Sequence, residues 1–192
     1  MNAANLRNAR FLLPVIVIAM LCGGCVSQPK YIVERYQPAQ DRFGTIALPT
    51  AKKVYLCPTI DSLPPECRRL LDPQFTPWTH ATDAIEQELK TSGINPIRPD
   101  FAFGPGLDSL KQAISEKANK TENAVYLGAE LLWLTAGRWT LDAKLFAPTG
   151  NLLFEKRGMC VVLGLEKADA QEVTHMVLRQ ILADPQFKQA LK

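Results

Sequence analysis

Residues 124–134 read Ala124-Val125-Tyr126-Leu127-Gly128-Ala129-Glu130-Leu131-Leu132-Trp133-Leu134, an apolar run carrying a single charge. Val125, Leu127, Ala129, Leu131 and Trp133 share one side of an extended chain, and Tyr126, Leu132 and Leu134 share the other. A strand with both sides apolar is one covered on both faces. This segment is therefore expected at the centre of a sheet, with other layers packed on it.

Downstream, residues 138–147 alternate, with Trp139, Leu141, Ala143 and Leu145 inward and Arg138, Thr140, Asp142 and Lys144 outward. Pro148-Thr149-Gly150-Asn151 reads as a hairpin turn, and residues 152–163 return as the partner strand with a bulge near Gly158. A last helix is expected from Lys167 or Ala168 to Leu182, facing inward with Ala170, Val173, Val177, Leu178 and Ile181. Asp184-Pro185 ends it before a short terminal turn over 186–191.

Upstream, Leu107, Leu110, Ala113, Ile114 and Ala118 recur at helical spacing after the turn Gly104-Pro105-Gly106. Residues 95–103 are short and extended, and Pro96 and Pro99 confine them to an edge. Thr82 resembles an N-cap for a helix ending at Gly93, whose buried edge is Ala81, Ile85 and Leu89. Residues 53–57 place Val54 and Leu56 on one face as the first core strand, and the proline-rich excursion from Cys57 to Pro77 is a long loop with one helical turn over 66–71. The fold class is thus α/β (α+β): a mixed sheet of about five strands with about three helices, in the order β-α-β-α-β-β-β-α.

The N-terminus follows different rules. Arg7 and Arg10 precede the apolar segment 11–21, which ends at Leu21-Cys22-Gly23-Gly24-Cys25. Such a run spans about half a bilayer core, so cleavage suits it better than retention as a span. These residues resemble the lipoprotein signal of bacteria, with small residues before an obligatory cysteine, although Leu21 stands one place earlier than usual and Cys22 takes its place. The resemblance implies removal of residues 1–24, acylation of Cys25 and attachment to a membrane through the N-terminal lipid. Val26 and Ser27 follow, where an aspartate after the cysteine is the usual sign of inner-membrane retention, so the resemblance implies the outer membrane and a periplasm-facing domain. Residues 25–52 are expected as a tether and 53–192 as one domain, with Thr45 to Leu48 able to add an edge strand and Tyr31, Ile32, Val33, Tyr36 and Phe43 able to pack on the domain.

Loss of Arg7 and Arg10 brings the formal charge from +3 to about +1, and no run of four Lys/Arg occurs, so nucleic acid is not an expected partner. In an oxidising compartment Cys57 and Cys67, separated by nine residues of turn-forming sequence, are the preferred disulfide; a Cys57–Cys160 bridge and three thiols are the alternatives. Cys160 reads as a small buried hydrophobe.

The sequence carries no G-x-S-x-G, no P-loop and no dinucleotide-binding fingerprint. His80 and His175 have no metal-ligating partner at i+3 or i+4, and the spacing of Cys57, Cys67 and His80 fits no zinc pattern, so no metal and no cofactor is expected. Glu86 and Glu88 point apart on a helix, unlike a glycosidase pair. Trp133 and Trp139 read as core, which leaves Trp78 as the candidate contact for a partner.

The order of elements over 53–183 is similar to the anticodon-binding-type α/β fold found in the Tol system's periplasmic translocation protein and in outer-membrane lipoproteins. Those include activators of peptidoglycan synthases, a curli secretion lipoprotein and a ring-forming lipoprotein of exopolysaccharide export. The reading implied is a non-enzymatic scaffold or accessory factor that binds an envelope protein or forms a homo-oligomer. The alternatives are a peptidoglycan or polysaccharide hydrolase using Asp61, Glu66, Asp72 or His80, and a ring-forming export accessory.

Overall fold

The computed structural model describes residues 31–37, 43–69, 76–132, 137–162 and 167–192. Six strands form one mixed sheet: β1 (Tyr31–Arg35), β2 (Lys53–Leu56), β3 (Ile60–Asp61), β4 (Ala124–Leu132), β5 (Arg138–Phe146) and β6 (Leu152–Val161). Five helices accompany them among the described residues: α1 (Pro65–Arg68), α2 (Pro77–Thr91), α3 (Leu107–Lys117), α4 (Lys167–Leu182) and α5 (Pro185–Ala190). The α/β class expected from the sequence is the one observed.

Strand order is β1-β6-β5-β4-β2, with β3 pairing β4 beyond the end of β2. Pairing is parallel for β1 with β6 and for β2 and β3 with β4, and antiparallel for β4 with β5 and β5 with β6. Only β5 therefore runs against the others.

The two faces bury different helices. Val54, Leu56, Val125, Leu127, Leu141 and Leu145 pack with Ile85 and Leu89 of α2, Val173, Val177 and Ile181 of α4, and Phe187 of α5. On the opposite face Cys57, Ile60, Tyr126 and Phe146 pack with Leu107, Leu110 and Ile114 of α3. Helices α2, α3 and α4 bury apolar stripes that their spacing announced, which is how helical periodicity becomes a layer. β4 is covered on both sides, with six buried residues in succession from Ala124 to Ala129. A Cβ on Gly128 would collide with Leu110 Cδ2, so the missing side chain is what lets α3 lie on β4.

Several expectations are corrected. The tether stretch contributes β1, while Thr45 to Leu48 forms no strand; Ile46 and Leu48 are nevertheless buried in the core. The strand expected over 95–103 shrinks to one parallel bridge between Ile97 and Tyr55, because Pro96 and Pro99 supply no N–H to a ladder. Helix α2 starts at Pro77, not after Thr82, since proline at the first helical position loses nothing by lacking its N–H. The excursion after Cys57 contains β3 and α1, and the terminal turn is α5, capped by Asp184 Oδ1 accepting from Gln186 N at 2.8 Å. Gly158 makes no bulge; the register shifts at Leu145/Phe146. Thr140 and Asp142, expected outward, are 0% and 5% exposed. They lie mid-sheet, where Arg157 forks onto the Asp142 carboxylate and Leu132 and Met159 flank Thr140.

Candidate functional site

Chain direction creates the site. From the C-terminal end of β2 the chain leaves to α2 on one face; from the adjacent Ile97 bridge it leaves to α3 on the other. Neighbouring strands whose exits diverge to opposite faces open a crevice between their C-terminal ends, the usual ligand position in open α/β sheets.

A groove of about 770 Å³ occupies this crevice. That volume falls within the range of small-molecule pockets. One wall is Pro58, Ile60 and Asp61, the other runs from Arg98 to Pro105, and Trp78 in the first turn of α2 closes one side. Phe101 and Phe103 are half-buried beside it and pack against the second core cluster. Phe101 lies 5.9 Å from Tyr126, which stacks on Tyr55 at 4.7 Å, so an aromatic layer continues beneath the groove. Burial, reinforced by Tyr55 and Glu122, pushes the Tyr126 phenol up to about 12. It stays neutral at physiological pH.

The wall containing Thr59 is tied to α2 by one hydroxyl. Thr82 Oγ1 donates to Trp78 O at 3.0 Å and accepts from Thr59 N at 2.9 Å, so the supposed cap is an internal staple that holds the Trp78 turn against the strand exit. Charged groups at the rim are already engaged. Asp61 pairs with Arg68 at 2.8 Å and accepts from Leu63 N, and Arg98 pairs with Glu86 at 2.5 Å. Hydrogen bonds from Lys90 and Arg98 hold the Glu86 carboxyl below its usual range.

The residues singled out from sequence fall in different places. Trp78 lines the groove. Cys25 lies outside the described residues, as do Asp72 and Trp133. Of the proposed hydrolase set, Asp61 lines the groove, while Glu66 and His80 are exposed and are not part of its described lining. Among the described residues no three His, Cys, Asp or Glu side chains are grouped to hold a metal ion.

The Cys57–Cys67 disulfide is not formed, a correction with a clear physical cause. Cys57 follows Leu56 by one residue and so faces α3, whereas Cys67 packs with Leu63 in the core on the other side of the sheet. Nor does Cys57 reach Cys160, which belongs to the cluster around α4. Sequence reading missed Phe101 and Phe103, whose prolines signalled an irregular edge but not which cavity it would line.

Compared with known proteins, the chain matches no family model and no curated sequence.

Proposed function

We propose that this chain is a lipid-anchored bacterial envelope protein that acts without catalysis, holding an apolar or proline-containing segment of an envelope partner in the groove beside Trp78. The observation that carries the reading is the convergence of Trp78, Phe101 and Phe103 with Pro58, Pro99 and Pro105 in one crevice. Aromatic rings set among prolines make a rigid apolar trough, the kind of surface that receives extended segments through stacking and shape. The resemblance of residues 21–25 to a lipoprotein signal supports the envelope part, because several acyl chains on one cysteine would bind a bilayer durably.

Two measurements test the two halves. Fatty-acid labelling of the expressed chain should mark the wild type and not Cys25→Ser, and the wild type alone should fractionate with membranes; label on the Cys25→Ser chain, or none on either, refutes the anchor. For the groove, titrating the isolated protein with synthetic proline-containing apolar peptides should show saturable binding. Trp78→Ala should weaken it by about 30-fold, the effect of losing a central aromatic contact. Binding unchanged in Trp78→Ala refutes the groove.

A further inference from the structure

β1 changes how far the domain stands from its anchor. Cys25 lies six residues before Tyr31, the first residue of the sheet, and six fully extended steps reach about 20 Å at most. Residues 25–52 do not all serve as a spacer: a short leash is what remains once Tyr31–Arg35 is paired with β6. The sheet's first edge is therefore held close to whatever Cys25 is attached to.

Two exposed leucines stand side by side near that edge. Leu152 (48%) and Leu153 (43%), two of the large hydrophobic residues exposed among the described ones, open β6, while Val33 (58%) stands opposite Met159, six residues beyond Leu153. Tyr31 pairs with Arg157, so β6 begins five residues ahead of β1, and the strands are parallel. Leu152 and Leu153 thus project at the same end of the sheet from which the chain leaves toward Cys25. Nearby charges are neutralised in pairs: Glu155 with Lys144 at 3.0 Å, and Lys156 with Asp184. The groove lies at the other extreme, across four strand spacings (roughly 20 Å) and at the opposite ends of the parallel strands.

We propose that the start of β6, at Leu152 and Leu153, rests on the lipid bilayer that holds Cys25, turning the Trp78 groove away from the membrane. The proposal depends on the lipid anchor argued above. Two half-exposed leucines with paired charges beside them serve to orient an anchored domain; the acyl chains do the holding. The contact is apolar, so it does not require anionic lipid.

The test uses the acylated full-length product in phosphatidylethanolamine/phosphatidylcholine vesicles doped with lipid carrying a nitroxide on its acyl chain. An environment-sensitive dye is placed at Leu153→Cys in one preparation and at the exposed Asp100→Cys, beside the groove, in another. The expected result is loss of most fluorescence at position 153 and none at 100. Vesicle-bound protein with both positions unquenched, or with both quenched alike, overturns the proposed contact and leaves the anchor standing. A dye at 153 that is blue-shifted but unquenched puts a second copy of the chain on this edge and also overturns it. Mass measurement of the same preparations reports acylation separately: a chain without acyl groups overturns the anchor, and this inference with it.

Discussion

Gly158 of β6 lies under Val177 of α4, close enough that a Cβ on the glycine would stand 2.5 Å from Val177 Cγ1. Both are buried, and Val177 is β-branched with little freedom to turn aside. Gly158→Ala is expected to destabilise the protein by about 1–3 kcal/mol, as overpacking does. In a denaturant series, adding Val177→Ala should recover part of that loss. Additive losses in the double variant would show that the two positions do not press on each other.

Glu88 joins α2 to α4: His175 Nδ1 is 2.8 Å and Arg179 Nε 3.0 Å from its Oε1. Burial pushes this carboxyl up, but the hydrogen bond with His175 and the charge and hydrogen bond of Arg179 outweigh it, leaving the carboxyl below its usual range. A group depressed on folding stabilises the fold fully above its unfolded value, near ~4.3, and loses that contribution as pH falls through the lower folded value. Glu88→Gln should cost about 1–3 kcal/mol at pH 7 and flatten the acid limb of stability between about pH 5 and 3. Urea midpoints across that range measure it, and an unchanged slope would contradict the assignment.

The thiols of Cys57, Cys67 and Cys160 should be silent in the native protein. Burial pushes Cys57 and Cys160 up to about 12 and raises Cys67, and the thiolate is the reactive form. Alkylation at pH 8 is expected to be slow in buffer and complete for all three in denaturant, with no gain in reactive thiols on prior reduction. A chain two mass units lighter before reduction would instead show a disulfide.

Thr140 offers a stabilising change. It is 0% exposed, and its Oγ1 is buried without a hydrogen-bond partner among the described residues. Replacing it with valine removes an unsatisfied hydroxyl, keeps the branched shape and suits a strand, so Thr140→Val should raise stability by about 1 kcal/mol. Thermal and chemical denaturation would register the gain, and a loss of similar size would mean that the hydroxyl finds a partner.

Local pattern alone determined much of this protein. The alternation of Trp139, Leu141, Ala143 and Leu145, and the helical spacing of Ala81, Ile85 and Leu89, of Leu107, Leu110 and Ile114, and of Val173, Val177 and Ile181, each name a buried face, and these residues are buried. Periodicity reports which side of an element is apolar, because that side must leave water wherever it ends up. It does not report what the side meets. Only the tertiary structure paired Tyr31–Arg35 with a strand 126 residues later, put Cys57 and Cys67 on opposite sides of one sheet, and buried Thr140 and Asp142 on the face that alternation had assigned to solvent. Trp78 was legible as a candidate because it stood outside every period. Phe101 and Phe103 became its neighbours only when crossovers on opposite faces brought the exits of β2 and Ile97 together, a long-range arrangement that no short stretch of sequence encodes.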